Sequence, residues 1–376
     1  MSYFKFEIIH QSRTSRARVG RIHTPHGVID TPNFVAVGTN ATLKALDTKM
    51  VHDIGLQLMF CNTYHLLLQP GVETIAQAGG LHTFMNRSLP IITDSGGFQV
   101  FSLAQGTVND ELKSRSNKRY EGSILKITED GVLFRSYRDG QKILLTPETS
   151  IAAQKSLGAD IIIPFDELLP NNVAYEHLTT SLHRTHRWEQ RSLNAHRARP
   201  QNQAMYAVIH GGTDQRLRKL SCEFLTKLDF DGFALGGSLG KNHQEMFNLL
   251  DFVIPILPQD KPNHLLGIGD LRSLETVIKC GIDTMDSSHP TRCARHGFLF
   301  TNAGGIKILH SSNKQRFRPI DESCTCFTCQ YYTAAYLHHL FKANELTGHT
   351  LATIHNLHYM VQIMAAYREK ILHNEM

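Results

Sequence analysis

The stretch LPIITDSGG, residues 89 to 97, packs an apolar run, an aspartate and a glycine pair into nine positions. Ile91, Ile92 and Thr93 are β-branched and continuous, as in a strand buried on both faces, and the Asp-Ser-Gly-Gly that follows ends it. The same unit recurs on either side. PNFVAVGT (32 to 39) and LQLMFCNTY (56 to 64) precede it; ADIIIPFDE (159 to 167), AMYAVIHGG (204 to 212), FDGFALGGS (230 to 238), NHLLGIGD (263 to 270) and IDTMDSSHP (282 to 290) follow. Helix-period segments separate them, among them LKALDTKMVHDIG, TPETSIAAQKSLG, DQRLRKLSCEFLTKL, HQEMFNLLDFVIPIL and LRSLETVIKCG. Eight β runs alternating with helices predict an α/β protein with a (β/α)8 TIM barrel rather than an open doubly wound sheet. No glycine fingerprint for a dinucleotide follows the first run.

Two segments interrupt the alternation. Residues 107 to 145 contain YEGSILKI, GVLFRSYRDG and the turn signals Glu129-Asp130-Gly131 and Arg138-Asp139-Gly140, which predict a small antiparallel β insertion between the third strand and its helix. From about residue 301 the pattern becomes a cysteine cluster followed by YYTAAYLHHLFKANEL and TIHNLHYMVQIMAAYREKIL. The expected organisation is a barrel over 1–300, with its insertion, and a zinc-binding helical subdomain over 301–376 packed on it.

A chain of 376 residues can bury a sizeable core, and its net charge of +5 is modest. The first twenty residues lack the apolar core of a signal peptide and no later run approaches eighteen apolar residues, so a cytoplasmic protein without membrane association is expected. Seven cysteines, an odd number and mostly scattered, do not form a disulfide framework. The charge is uneven: residues 183–199 carry Arg184, Arg187, Arg191, Arg197 and Arg199 against Glu189, and residues 292–318 hold Arg292, Arg295, Lys307, Lys314, Arg316 and Arg318 with no acid. Each block reads as a solvated face or a polyanion site.

Cys324, Cys326 and Cys329 form Cys-x-Cys-x2-Cys, three thiolates of a zinc site that needs a fourth ligand. His338, His339, His349, His355 and His358 are available. A helix running from Tyr332 to Leu340 carries His339 away from the knuckle, whereas a second, antiparallel helix returns His355 or His358; spacing selects His355. Four protein ligands leave no open position, so the zinc is expected to be structural, one per subunit.

Catalysis then belongs at the C-terminal ends of the strands. Asp94, Asp166 and Asp286 each close an apolar run; any one alone could be a helix cap, but the topology returns all three to one rim. Gly96-Gly97, Gly211-Gly212 and Gly236-Gly237 share that rim, where bare backbone lets a flat ligand approach. Carboxylates and exposed backbone suit a planar hydrogen-bonding base better than a phosphate. The early strands offer no His-x-His pair for a catalytic metal.

TDSGGFQVFSL, FDELLP, FALGGS, LLGIGD, GIDTMDSSHPTR and CTCFTC, with HN thirty-one residues after Cys324, resemble the bacterial tRNA-guanine transglycosylases in order and spacing over almost the whole chain. That family replaces guanine at the tRNA wobble position with a 7-substituted 7-deazaguanine. The resemblance implies that Asp286 is the nucleophile toward ribose C1′ and that Asp94 is the general acid/base and a base contact. It implies further that Ser95, Gly96, Gly97, Phe98, Asp166, His210, Gly236, Gly237 and Leu266 surround the base, with Phe98 stacked on it. RNA-contacting segments fall at Gly267, Ile268, Gly269, Asp270, Leu271, Arg272 and Ser273, and at Thr291, Arg292, Cys293, Ala294 and Arg295. The zinc ligands match Cys324, Cys326, Cys329 and His355. A tRNA anticodon loop with a GUN anticodon, a deazaguanine base (queuine or its aminomethyl precursor) and a second copy in a homodimer are the implied partners.

The departures concentrate on the base pocket. The family usually has Gln at His210, often Met at Leu266, often Cys at Leu168, and Cys or an apolar residue after the nucleophile where this chain has Ser287, Ser288 and His289. Its Gly-Gly-Leu-Ala-Val-Gly-Glu becomes Gly-Gly-Ser-Leu-Gly-Lys, one residue shorter, with Lys241 for Glu. Phe98 in place of Tyr resembles the eukaryotic enzymes that take queuine. The expectation is a protein that accepts queuine directly, or at least tolerates it, rather than one confined to the small aminomethyl precursor. Two other readings compete: a non-catalytic RNA-binding subunit of the same fold, against which Asp94 and Asp286 stand, and a zinc-dependent barrel hydrolase of a small heterocycle, whose chemistry would vanish with the metal while the fold survived.

Overall fold

In a computed structural model, residues 3–105, 123–170 and 173–376 are described. The chain opens with an antiparallel sheet of β1 (Lys5–Gln11), β2 (Arg18–Thr24) and β3 (Gly27–Thr31), then enters β4 (Asn33–Val37), β5 (Met59–Cys61) and β6 (Ile91–Thr93). A second antiparallel sheet follows in β7 (Ile124–Ile127), β8 (Val132–Arg135) and β9 (Lys142–Leu145). Then come β10 (Ile161–Ile162), β11 (Ala204–Ile209), β12 (Gly232–Leu235), β13 (Asn263–Leu265) and β14 (Thr284–Ser287), and finally the short pair β15 (Phe298–Leu299) and β16 (Ile306–Lys307).

All eight β runs of the sequence become barrel strands. They close in the order β10-β11-β12-β13-β14-β4-β5-β6, every pair parallel. Val35, Leu58, Phe60, Ile92, Ile161, Ile163, Tyr206, Val208 and Ala234 fill the interior, so the barrel is a packed core with its site at the rim. Ile22 and Ile29 join that cluster, so the first sheet closes the floor at the N-terminal ends of the strands. That sheet has no counterpart in the sequence reading. It is fastened by Arg18 of β2, whose guanidinium donates to both oxygens of Asp283 at 2.8 and 2.7 Å, with the side chains 3% and 0% exposed.

The antiparallel insertion is present as β7 to β9, with Gly131 and Gly140 at positive φ in its turns. It does not come directly between β6 and a helix as expected, because a helix at Gly97–Gln105 follows β6 and precedes the sheet; the upstream part of the expected insertion, 107–122, lies outside the described residues.

The helix expected from Tyr332 to Leu340 is present as Ala334–Lys342, and a short helix not expected from the sequence precedes it inside the knuckle. Phe327–Tyr331 is one short helix, Tyr332 is extended (φ −131, ψ 146), and Thr333 caps a new helix, Ala334–Lys342, by accepting from the backbone N–H of Tyr336. The last helix, Leu346–Leu372, starts seven residues before the expected TIHNLHYM segment. Leu351 and Ala352 pack with the cysteine-bearing cluster, while Met360, Met364, Tyr367 and Ile371 pack in the barrel's outer core. One helix therefore couples the metal site to the barrel. No helix among the described residues is long and apolar enough to cross a membrane.

Candidate active site and metal centre

Asp94 follows β6 directly and is 7% exposed. Its Oδ2 accepts from Asn62 Nδ2 at 2.6 Å and Gln99 Nε2 at 2.9 Å; its Oδ1 accepts from the backbone N–H groups of Thr63 at 2.7 Å and Gly96 at 3.3 Å. Burial outweighs these four donors and pushes the carboxyl up to about 6 from an ordinary 3.8. A carboxyl in that range carries a proton part of the time near neutrality and can both give and take one. Asn62 and Gln99 lay outside the sequence reading.

Asp286 sits in β14, three strands round the rim from β6, also 7% exposed. Its Oδ1 accepts from the Gly267 N–H at 2.9 Å and lies 3.2 Å from His264 Nε2. Asp166, on the loop after β10, is bridged to the next strand: its Oδ2 is 2.8 Å from Nε2 of His210, and its Oδ1 accepts from Ser95 Oγ at 3.1 Å. The adjoining Glu167 is held by both its oxygens on Arg184.

The glycines are required sterically. A Cβ at Gly97 would come within 2.9 Å of the Asp166 carbonyl oxygen, and one at Gly236 within 2.5 Å of Val208. Gly211, at φ +134, has the backbone N of Arg218 only 2.6 Å from where a Cβ would stand. Arg218 itself, fully buried, donates to the carbonyls of Ile209, Gly212, Gly236 and Ser238, so one guanidinium from the helix Gln215–Leu225 fixes both loops after β11 and β12. Leu266 follows β13 and is half-buried; Phe98 is 46% exposed in the first turn of its helix, at the mouth.

Around Asp286, Gly267 and Arg272 are exposed and Ile268, Asp270 and Leu271 half-buried, while Gly269 and Ser273 are buried. Helix His289–Arg295 begins three residues after Asp286 and offers Arg292, Cys293 and Arg295; Thr291 and Ala294 point into the core. Lys307, Lys314 and Arg318 are exposed beyond it. The other basic block is an ion-paired face: Arg184 and Arg187 meet Glu129, Arg191 meets Glu148 and Arg197 meets Asp229.

Cys324, Cys326, Cys329 and His355 converge, with His355 Nδ1 at 3.7, 3.5 and 3.3 Å from the three sulfurs. A tetrahedral zinc with Zn–S of about 2.3 Å and Zn–N of about 2.0 Å separates N from S by roughly 3.5 Å, so the four groups fit that ion. His355 Nε2 is 2.6 Å from the carbonyl oxygen of Phe300, which fixes the tautomer that turns Nδ1 toward the thiols. Neighbouring Asn356 accepts from the N–H of Phe300 and donates to the carbonyls of Phe298 and Pro290. A further cluster, His26, His82 and Asp160, lies at the barrel floor. Its two imidazoles are stacked 3.5 Å apart and nearly parallel, so one ion cannot lie in both ring planes; Asp160 instead ties His26 to the N–H of Ile91.

A closed parallel barrel with three carboxylates on its C-terminal rim, beside a separate Cys3His centre, defines a (β/α)8 enzyme whose metal is structural. Residues 12–376 match the family described as queuine tRNA-ribosyltransferase. The chain is 66% identical over 371 residues to the queuine tRNA-ribosyltransferase of Protochlamydia amoebophila, covering 99% of this chain and 96% of that protein. It is 54% identical over 372 residues to that of Chlamydia felis, covering 99% of each. The chain belongs to the queuine tRNA-ribosyltransferase family.

Proposed function

We propose that this protein exchanges the wobble guanine of GUN-anticodon tRNAs for a 7-substituted 7-deazaguanine by two displacements at ribose C1′, with Asp286 as nucleophile and Asp94 as general acid/base. The observation that carries this reading is the pairing on one rim of two buried carboxylates, one of them, Asp94, raised to about 6. In the first half-reaction Asp286 bonds to C1′ as the C1′–N9 bond of guanine breaks, and Asp94 gives its proton to the departing base. In the second, N9 of the incoming base loses its proton to Asp94 and bonds to C1′ as the C1′–Asp286 bond breaks, so two inversions retain the configuration.

Asp166, held between Ser95 and His210, accepts from the purine edge, and the backbone of Gly236-Gly237 lies along it, with Gly96, Gly97 and Leu266 forming the walls and Phe98 stacking at the mouth. Guanine must be splayed from the anticodon loop to reach them. Gly267 to Ser273 and the half-buried Arg292 and Arg295 of the segment Thr291 to Arg295 meet the loop's phosphates. His210 for Gln, Lys241 for Glu and the shortened loop at Ser238-Leu239-Gly240 favour a bulky substituent, so queuine itself is the proposed incoming base. Zinc held by the three cysteines and His355 supplies cross-linking, and a closed four-ligand site weighs against the hydrolase reading. We read the chain as a barrel over 1–300 bearing a zinc unit over 301–376, cytoplasmic and homodimeric, the dimer formed through that appendage. The test is incorporation of labelled guanine into unmodified GUN-anticodon tRNA, followed by competition with queuine and the aminomethyl precursor. Exchange that queuine suppresses supports the reading; folded, zinc-loaded protein that incorporates nothing overturns it.

A further inference from the structure

His264 is a wholly buried histidine in β13, one strand from the nucleophile, and nothing in the reaction as described uses it. Strand register sets it opposite Thr284. Its Nδ1 lies 2.8 Å from Thr284 Oγ1, its Nε2 3.2 Å from Asp286 Oδ1, and its ring is nearly parallel to that of Phe60 with centroids 6.2 Å apart. Turning the ring would break two hydrogen bonds at a position wholly shielded from solvent, so the orientation is fixed.

We propose that His264 is a positioning residue that selects which oxygen of Asp286 attacks. A carboxylate only accepts, so the contact with Asp286 keeps the proton on Nε2; neutral imidazole then accepts at Nδ1, where the Thr284 hydroxyl donates. The chain runs from Thr284 Oγ1–H to Nδ1, and from Nε2–H to Oδ1. With the Gly267 N–H on the same atom, Oδ1 is doubly tied and the carboxylate cannot rotate. Oδ2 is left to supply the electron pair of the new bond to C1′ as the C1′–N9 pair leaves with the base; in the second displacement the C1′–Oδ2 pair returns to Oδ2 as N9 of the incoming base bonds to C1′. His264 keeps its proton throughout. An untethered carboxylate samples a broad two-fold torsion, and a misplacement of about 1 Å costs roughly 100-fold in rate.

This inference rests on the proposed role of Asp286, and the test separates the two. Single-turnover formation of the covalent RNA adduct is measured for wild type, His264→Gln, His264→Asn, His264→Phe, Thr284→Val and Asp286→Ala, with tRNA KM and melting temperature alongside. Glutamine places an amide N–H where Nε2 stands; asparagine reaches only the Nδ1 position. The expected result is adduct formation within about threefold of wild type for His264→Gln, slowed about 10- to 100-fold for His264→Asn and His264→Phe at unchanged KM, and slowed a few-fold for Thr284→Val. Should the phenylalanine variant not fold, the glutamine–asparagine contrast and Thr284→Val decide. A phenylalanine variant as fast as wild type, or glutamine as slow as asparagine, overturns the inference. Adduct absent only in Asp286→Ala leaves the nucleophile in place whatever His264 does; adduct surviving in Asp286→Ala removes both.

Discussion

Replacing Asp94 with asparagine should abolish exchange and make the fold more stable. Burial raises the Asp94 carboxyl from 3.8 to about 6. The folded state therefore holds a proton that the unfolded chain releases, and its stability falls as pH climbs from the unfolded value through the folded one. Two units at about 1.36 kcal/mol each make a penalty of about 3 kcal/mol at pH 8, and about half of that at pH 5. An amide carries no such penalty. Its NH2 group would face Asn62 Nδ2 and Gln99 Nε2, both donors, but Gln99 Oε1 is buried without a hydrogen-bond partner among the described residues, so a flip of that amide supplies an acceptor. Thermal unfolding of both proteins at pH 5 and pH 8, with zinc saturating, reads the difference. The variant should melt a few degrees above wild type at pH 8, with the gap roughly halved at pH 5. A variant less stable at both pH values, or a gap indifferent to pH, would refute the reasoning.

Stripping zinc with a chelator should expose the amides of the C-terminal helices to hydrogen exchange first and lower the melting temperature of the barrel with them, since Leu346–Leu372 packs in both; an unchanged melting curve from metal-free protein would contradict this. Arg18→Met strands the carboxylate of Asp283, whose side chain is 0% exposed, and should cost about 3–5 kcal/mol in denaturant unfolding; a loss under about 1 would mean the charge finds another partner. Arg292→Ala should weaken tRNA binding and reduce the slope of log affinity against log salt by about 0.7 to 1, while Arg191→Ala, already paired with Glu148, should leave that slope alone.

The barrel was legible because its strands are buried on both faces and read as continuous apolar runs, Ile91 to Thr93 being the plainest. The floor sheet was not: β1, KFEIIHQ, is largely exposed and alternates weakly, so only its packing against the barrel reveals it. Asp94, Asp166 and Asp286 stood out by their place after apolar runs, but their partners did not. Asn62, Gln99 and His264 reach those carboxylates across strand register or from the next helix, at separations with no periodic signature. His355 could be chosen because three clustered cysteines demand a fourth ligand. The short helix Phe327–Tyr331 was not legible, because five residues are too few to display a helical period. Arg-rich residues 183–199 left two readings open in sequence, and the carboxylates of Glu129, Glu148 and Asp229 decide between them.

The central claim is that Asp286 carries the RNA. Wild-type protein incubated with unmodified GUN-anticodon tRNA, denatured and digested, should yield one peptide bearing ribose-linked RNA at Asp286, and the link should disappear when free guanine is added in excess. An adduct on any other residue, or brisk guanine exchange with no adduct at all, would contradict the account.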